Sequence, residues 1–376
     1  MILCFSGTGN SRYVADMLAE SLGDVVLDLA PAVSDFVAEW GAYPSMNKRF
    51  SAEGSGSRSG ATFVSDDGEP FVLVCPVYGW RIPESVGGVI EFANFIGSDL
   101  LYVVATYGDD QANAGFYCAQ MAEKAGLRFG GFTGVLMPCS YSKVKKMPSA
   151  SRAREIRAAA REHIPQIAEA IRNQGELAFE SSGVRAVLKS GAMHRSFRLY
   201  EAGSKYFVVS NKCSRCGRCE LFCPVGDIRM TEDGIEFGPD CISCYACIHR
   251  CPDSAIDVKG HTEANGRYVC PNYREEIEDL AYEDAKRAKK AAREAARAQR
   301  TERAQAAKAA ADLAAAVAVA HGVDPEEAHR KAEEAAAATI PGKRKGGRLA
   351  AKRAAMEAAS IAQENGSAAR EPFGRK

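Results

Sequence analysis

The feature that most constrains this sequence is a duplicated cysteine pattern in its second half. The run Cys213-x2-Cys216-x2-Cys219-x3-Cys223-Pro is followed by the same run starting at Cys241. All cysteines of the second copy are offset by one constant spacing from their counterparts, and the match continues past the cysteines to a shared isoleucine. The two copies are therefore an internal duplication, and the fold of this region must place eight thiols at fixed positions.

The spacing favours iron–sulfur clusters. Three cysteines at intervals of three wrap around one cubane, and in this type of run the fourth cysteine, followed by proline, ligates the other cluster. We therefore predict two [4Fe–4S] clusters with crossed ligands. One predicted set is Cys213, Cys216, Cys219 and Cys251, and the other is Cys241, Cys244, Cys247 and Cys223.

Two other uses of these cysteines fit less well. Structural zinc takes four ligands, usually as two C-x2–4-C pairs, which two runs of four cysteines do not resemble. A disulfide framework needs an oxidising compartment. Residues 1–5 indicate a strand that leaves no room for a secretory signal, so we expect a reducing, cytoplasmic location.

Residues 207–259 resemble the bacterial-type two-cluster ferredoxins in the cysteine runs and in the apolar residues between them. The resemblance implies a small α+β domain, taken as 207–260, that carries electrons.

Residues 1–175 alternate between strand-like and helix-like segments. Short apolar runs occur at 1–5, 25–29, 71–75, 101–105 and 133–137, and amphipathic or helix-forming stretches occur at 12–22, 85–95, 111–125 and 150–173. This alternation predicts an α/β fold with a five-stranded, doubly wound parallel sheet. We take 1–174 as this domain, with a Ser/Gly-rich flexible insertion at 44–70, and 175–206 as a connector.

A loop of glycines and hydroxyl residues separates the first strand from the first helix. Such a loop is suited to an anion because backbone N–H groups converge at the start of the helix. The segment resembles the phosphate loop of the flavodoxins, and the resemblance covers about 1–173. It implies the strand order 2-1-3-4-5, a bound FMN, and a phosphate held by Ser6, Thr8, Gly9, Asn10 and Ser11.

In flavodoxins the loops after the third and fourth strands hold the isoalloxazine ring. The corresponding candidates here are Tyr78, Trp80, Thr106, Tyr107 and Gly108. The alternative for the aromatic residues is ordinary packing against their own scaffold.

The last part of the chain, 261–376, is interpreted as a linker and a basic, Ala-rich tail that is helical or disordered. Residues 281–376 contain 20 lysines and arginines against 13 acidic residues, although the net charge of the whole chain is zero. Acidic residues are mixed throughout this tail, which disfavours binding to nucleic acid or an anionic surface. We expect no transmembrane segment, since no run of about 18 residues is apolar.

The combination resembles a group of bacterial proteins that fuse a flavodoxin-like domain to a two-cluster ferredoxin domain. It implies electron transfer between FMN and two [4Fe–4S] clusters, to or from a redox partner, as an electron carrier or a component of an oxidoreductase. The alternative is a redox-sensing or regulatory iron–sulfur protein that no longer binds FMN. No catalytic residue is predicted, and Cys139 and Cys270 are given no role.

Overall fold

The computed structural model describes residues 1–43, 60–66, 68–177, 183–200, 203–320, 324–327 and 329–330. Two compact units are found, Met1–Glu278 and Asp279–Lys376. The strands are β1 (Ile2–Cys4), β2 (Val26–Asp28), β3 (Thr62–Val64), β4 (Phe71–Pro76), β5 (Asn94–Ile96), β6 (Leu100–Tyr107), β7 (Arg128–Leu136), β8 (Phe207–Val209), β9 (Ile228–Met230), β10 (Ile235–Phe237) and β11 (Ile256–Val258). The helices are α1 (Asn10–Leu22), α2 (Ala30–Trp40), α3 (Glu84–Phe92), α4 (Ala114–Ala125), α5 (Ala150–Arg172), α6 (Gly183–Leu188), α7 (His194–Tyr200), α8 (Arg218–Leu221), α9 (Ala246–Arg250), α10 (His261–Asn265) and α11 (Tyr273–Ala320).

The central sheet has five parallel strands in the order β2-β1-β4-β6-β7. Counting only these strands along the chain gives the order 2-1-3-4-5, which is the doubly wound flavodoxin order. The predicted fold class is therefore confirmed. In such a sheet the carboxyl ends of all strands meet at one edge, and the loops that follow them form the ligand side.

Both faces of the sheet are buried, as an all-parallel sheet requires. On one face, β1 and β4 pack with α1 and α5 through residues such as Val14, Leu18 and Ile164. On the other face the same strands pack with α2, α3 and α4 through residues such as Phe36 and Ile90. The apolar runs seen in the sequence are continuous because successive side chains point alternately into these two cores.

Part of the predicted insertion is ordered. Residues 44–59 and 67 lie outside the described residues, but β3 pairs in parallel with β5, with Phe63 opposite Phe95. The prediction of a flexible loop through 70 is wrong for this strand. Phe63 and Phe95 pack in a tilted arrangement with 5.5 Å between ring centroids, and Phe71 of β4 packs edge-on against Phe95 at 4.9 Å. Serine and glycine dominated the composition and hid this aromatic pair.

The cysteine-rich region is two copies of one β-α-β unit. The elements β8, α8 and β9 form the first copy, and β10, α9 and β11 the second; the strands of the second copy keep the same offset from their counterparts as the cysteines do. The copies are interlocked, because β8 pairs with β11 and β9 pairs with β10 in antiparallel fashion. Left-handed backbone also repeats, at Arg215 and Ser243, at Gly217 and Tyr245, and at Gly226 and Ser254.

After β11 the chain continues through α10 into the long helix α11. Only the start of α11 belongs to the unit Met1–Glu278. The remainder of α11 is described as far as Ala320, so of the two forms predicted for the tail, helical or disordered, this part is helical.

Candidate functional site

The glycine and hydroxyl loop forms the turn from β1 into α1. Helix α1 begins at Asn10, and Gly9 precedes it with a φ of 97°, a left-handed conformation that glycine adopts without strain. The Gly9 N–H donates to the Ser6 hydroxyl at 3.2 Å and closes the loop. The first N–H groups of a helix have no carbonyl partner within it and carry the positive end of its dipole. The loop and helix start therefore present donors suited to an anion.

Hydrogen bonds join this loop to the neighbouring strand ends. The hydroxyls of Ser11 and Thr106, both buried, lie 2.8 Å apart and tie α1 to the end of β6. The Asn10 side-chain amide donates to the Pro138 carbonyl at 2.8 Å, just beyond β7. These bonds fix the loop against the ends of two strands of the sheet.

A cavity of about 530 Å³ opens at this edge. Small-molecule sites commonly measure roughly 300–1,000 Å³. Its lining includes nine of the ten residues predicted to bind a flavin, namely Ser6, Thr8, Asn10, Ser11, Tyr78, Trp80, Thr106, Tyr107 and Gly108. Gly9 does not line the cavity; a Cβ on Gly9 would lie 3.1 Å from the Cβ of Cys270 on the opposite side of the loop. Three loops far apart in sequence therefore meet around one space.

One wall of the cavity is a tight turn between Tyr78 and Arg81. The Tyr78 N–H donates to the Arg81 carbonyl at 2.7 Å, and both central residues, Gly79 and Trp80, have positive φ. A tryptophan in this conformation costs about 1–3 kcal/mol, so surrounding contacts must hold it. The Ser190 hydroxyl donates to the Trp80 carbonyl at 2.9 Å, and Arg81 donates to the Ser190 carbonyl at 2.6 Å.

The predicted connector forms a second wall. A π-helical turn, Lys189–Met193, joins α6 to α7, and Met193, Ser196 and Phe197 line the cavity. A Cβ on Gly79 would lie 2.5 Å from the Phe197 ring, so only glycine permits this approach. Sequence reasoning missed these residues because the segment carries no recognisable motif.

The third wall comes from the cysteine-rich region. Ser243, Cys244 and Tyr245 line the cavity opposite the loop after β1. A Cβ on Gly7 would lie 2.9 Å from the Cβ of Cys244, so the loop rests directly on a predicted cluster ligand. The glycine at position 7 thus has a packing reason that the sequence alone did not reveal.

Cys223, Cys241, Cys244 and Cys247 are brought together. These four cysteines line one small buried cavity, together with apolar residues that include Val225 and Ile242. Burial raises the pKa of Cys241, Cys244 and Cys247. Iron binds thiolates, so iron binding at this place must displace protons.

The backbone around the cysteines also suits iron–sulfur clusters. The Asp227 N–H donates to the Cys223 sulfur at 3.3 Å, and at the duplicated position the Ala255 N–H donates to the Cys251 sulfur at 3.2 Å. Hydrogen bonds to ligand sulfurs are one means by which a protein sets cluster potential. The Nε of Arg250 is buried without a protein hydrogen-bond partner, and burial lowers the pKa of Arg250 although the nearby Cys244 opposes that shift.

Among the described residues, no group of three or more His, Cys, Asp or Glu side chains converges closely enough to hold a single metal ion. A four-iron cubane is larger than an ion, and its four thiolates stand apart around the cage. The cysteines therefore fit iron–sulfur clusters through their grouping and through the backbone N–H groups that donate to their sulfurs.

The other predicted set faces outward. Cys216 is exposed, Cys213 and Cys251 are half-buried, and only Cys219 is buried. Burial raises the pKa of Cys219, and the neighbouring Cys213 and Cys216 add to that rise. The set of Cys213, Cys216, Cys219 and Cys251 stays a prediction.

The segment after the second cysteine run returns to the loop after β1. The Cys270 N–H donates to the Thr8 carbonyl at 2.9 Å, and the Tyr268 hydroxyl donates to the Asn10 side-chain oxygen at 3.3 Å. The Tyr268 N–H donates to Nδ1 of His249, whose Nε2 donates to the Ser140 carbonyl at 2.7 Å. Cys270 therefore has a structural position that its isolation in the sequence concealed.

His249 is neutral in this arrangement. Burial lowers the pKa of His249 to about 4, and nearby Arg267 and Arg250 also disfavour its charged form. With Nδ1 accepting and Nε2 donating, the ring joins α9 to the loop after β7 that lines the cavity.

Comparison with known proteins supports the iron–sulfur assignment. The sequence model of the 4Fe-4S dicluster domain family matches residues 205–252. A component of an ion-translocating oxidoreductase complex of Methanosarcina acetivorans is 42% identical over 48 residues, which cover 12% of this chain and 18% of that protein. Pyruvate synthase subunit PorD of Methanocaldococcus jannaschii is 40% identical over 50 residues, covering 12% of this chain and 57% of that protein. This chain therefore spans only part of the curated relatives it matches.

Solved structures with similarity to the first half include flavodoxins. The two-electron reduced flavodoxin of Megasphaera elsdenii is 16% identical, with a TM-score of 0.22, and the match covers 43% of this chain and 99% of that one. An azoreductase from Bacillus anthracis is 15% identical, with a TM-score of 0.25, and the match covers 44% and 97%. These scores are low, and the fold assignment rests on the strand order of the central sheet.

Within the part of the chain that the structure describes, no helix is both long enough and apolar enough to span a bilayer. With the sheet order and the matched cluster domain both established, the chain joins a flavodoxin-like fold to a 4Fe-4S dicluster domain of the ferredoxin type.

Proposed function

We propose that this protein transfers electrons between an FMN in the cavity and two [4Fe–4S] clusters in the cysteine-rich region, and exchanges them with a redox partner. FMN supplies one- or two-electron chemistry when bound, and each cluster supplies one-electron chemistry. The observation that carries the proposal is that one cavity is lined both by the anion-type loop and by Cys244. Cofactors held on the two sides of that contact would lie next to each other.

Different residues would hold the phosphate and the ring of the flavin. Backbone N–H groups of the loop residues that line the cavity would bind the phosphate, and the hydroxyls of Ser6 and Thr8 would add donors, while Gly9 shapes the turn. Tyr78, Trp80 and Tyr107 supply aromatic surface for the ring.

The cluster ligands are proposed as the crossed sets. Cys223 joins Cys241, Cys244 and Cys247, since these four line one cavity. Cys251 then completes the set of Cys213, Cys216 and Cys219. The Nε–H of Arg250, which has no protein partner, would donate to a sulfur of the cluster held by Cys223, Cys241, Cys244 and Cys247.

The alternative, an iron–sulfur sensor that binds no flavin, is less well supported. A chain that had lost FMN would have no reason to keep an open cavity bounded by Thr8, Trp80 and Tyr107. The absorption spectrum of anaerobically purified full-length protein separates the two: flavin bands beside the iron–sulfur shoulder support electron transfer, and their absence after incubation with FMN supports the sensor.

A titration of the full chain tests the phosphate role of the loop. We expect FMN to bind at least about tenfold more tightly than riboflavin, because charge-assisted hydrogen bonds contribute roughly 1.5–3 kcal/mol each and about 1.4 kcal/mol is one decade of affinity. Thr8→Val keeps the side-chain shape and should weaken FMN binding without changing the iron content. Both are followed by quenching of flavin fluorescence.

Thr62→Val is the matched control, since Thr62 is exposed on β3 and does not line the cavity. It should bind FMN as the parent does. Equal affinities for FMN and riboflavin would remove the argument for a phosphate-binding loop.

A further inference from the structure

The two cysteine loops have the same backbone but different surroundings. Residues 242–249 of the second loop are all buried, whereas in the first loop Lys212, Arg215 and Cys216 are exposed. The second loop lies against the flavodoxin-like part of the molecule, where Ile242, Cys244 and Ala246 belong to the same apolar core as the strands. A duplicated unit has therefore acquired one inward and one outward copy.

The residue at one duplicated position shows what the inward copy gained. Gly217 of the first loop has a φ of 72°, and Tyr245, its counterpart, has a φ of 58°. Glycine adopts this conformation freely, while a tyrosine there costs about 1–3 kcal/mol. The strained tyrosine is buried, lines the flavin cavity and packs 5.7 Å from Tyr141, another residue of the lining.

Resting on the function proposed above, we propose that the two clusters occupy fixed places on one electron route. The cluster held by Cys223, Cys241, Cys244 and Cys247 is the cavity-side centre, with Tyr245 in contact with the flavin. The other cluster, which includes the exposed Cys216, is the solvent-side centre. It exchanges single electrons with an external one-electron carrier protein.

Each exchange balances as a transfer of one electron. The external carrier would lose one electron, the cluster held by Cys213, Cys216, Cys219 and Cys251 would gain it, and passing it on to the cluster held by Cys223, Cys241, Cys244 and Cys247 would return the first cluster to its oxidised state. No proton or group transfer is required at either cluster.

Iron release tests the inward and outward placement without any flavin. Anaerobically reconstituted full-length protein is reduced and mixed with a coloured Fe²⁺ chelator. We expect two phases of about four irons each. The first should be at least about tenfold faster, since a loop with few buried contacts opens at lower free energy.

Two matched variants assign the phases. Cys216→Ala should abolish the fast phase and leave the slow one, and Cys244→Ala, at the duplicated position, should do the reverse. A single phase in the parent, or a fast phase that survives Cys216→Ala, would overturn the placement. If Cys244→Ala does not fold, the parent and Cys216→Ala still decide the outcome.

Tyr245→Gly tests the contact with the flavin. The variant carries the residue that the first loop already uses, which relieves the backbone, but it also removes a buried ring that stacks on Phe207 at 5.9 Å. FMN binding is therefore compared on protein that retains about eight irons. We expect the affinity for FMN to fall about fivefold or more, because a stacked aromatic ring is lost. Tyr245→Phe should bind as the parent does.

The outcomes separate the two proposals. Unchanged FMN affinity in Tyr245→Gly would contradict the contact while leaving the proposed electron transfer intact. A parent that binds eight irons but no FMN would contradict the electron-transfer proposal, and loss of the fast phase of iron release in Cys216→Ala would then still establish which cluster faces solvent.

Discussion

A buried ionic cluster around Glu276 holds the segment after the second cysteine run in place. Glu276 accepts hydrogen bonds from Arg157 Nε at 2.9 Å and from the Tyr13 hydroxyl at 2.7 Å, while Arg161 donates to the same hydroxyl at 2.6 Å. Burial would raise the pKa of Glu276, but the bonds from Arg157 and Tyr13 outweigh it and hold that pKa below its ordinary value. Glu276 is far from these partners in the sequence, so no local pattern could have predicted the cluster.

Glu276→Gln should destabilise the protein. Removing one partner of a buried pair leaves Arg157 uncompensated and costs about 3 kcal/mol. For a unit of this size that corresponds to a fall in Tm of roughly 6–12 °C. Thermal unfolding followed by circular dichroism measures it at neutral pH.

In the same variant, the free energy of unfolding should change less than in the parent as the pH is lowered into the acid range. A carboxyl whose folded pKa is depressed contributes stability above its unfolded pKa, about 4.5 here. That stability is lost as the pH falls through the lower, folded value. The free energy of unfolding of the parent should therefore approach that of Glu276→Gln as the pH decreases below about 4.5. Glu275→Gln, a change at the exposed neighbouring residue, is the control and should melt like the parent at every pH.

Among elements, the sequence predicted best where periodicity is strong and worst where contacts are distant. Four of the five sheet strands and four helices were found close to their predicted positions. Strand β7 starts at Arg128, earlier than the predicted 133, because Gly130 and Gly131 interrupt the apolar run there. Neither the pairing of β3 with β5 nor the packing of the connector on the cavity has a local signature.

The interlocked strands of the cysteine-rich region predict which cluster each substitution damages. Because Cys223 lies with Cys241, Cys244 and Cys247, Cys223→Ala should impair the cluster of those residues and spare that of Cys213. Mössbauer or EPR spectra of the reduced, reconstituted protein distinguish the two centres.

Cys251→Ala is the matched variant, since it occupies the duplicated position in the other copy. It should impair the opposite cluster. Loss of the same cluster in both variants would show that the ligands are not crossed. Metal binding and folding are coupled, so the spectra are read on protein that retains native circular dichroism.

At the scale of the whole molecule, the flavodoxin-like and cysteine-rich parts share a core. Val225 and Ile242 belong to the same buried apolar cluster as Leu3 and Leu73. The sequence predicted boundaries at 174, 206 and 260, which composition changes support and which stay predictions. Composition reports where the chain changes character, but it carries no information about surfaces that meet after folding.

Two truncations test the contact between the segment after the second cysteine run and the loop after β1. A chain ending at residue 278 should bind FMN as the full chain does, because the contacts described for the loop are retained. A chain ending at 260 loses the hydrogen bonds of Cys270 and Tyr268 to Thr8 and Asn10. At roughly 0.5–1.5 kcal/mol each, their loss should weaken FMN binding about tenfold.

Iron analysis is the control, since both truncated chains retain all eight cysteines but the chain ending at 260 also loses the bonds of Tyr268 and Arg267 to His249 and Ile256. The FMN affinities are therefore compared on protein that binds about eight irons. Parent-like FMN affinity in the chain ending at 260, measured by flavin fluorescence on protein with full iron content, would show that the returning segment does not support the loop.

The close approach of Gly9 to Cys270 limits how this molecule can be rebuilt. Any side chain at position 9 would meet the backbone of residue 270, so the two positions form a matched joint although they lie far apart in the sequence. A foreign ferredoxin grafted between the predicted boundaries at 206 and 260 would keep the contact of Gly9 with Cys270. It would lose the contact of Gly7 with Cys244. A graft extended through 278 would replace both surfaces together. Exchange of the cysteine-rich region therefore requires redesign of the loop after β1 as well.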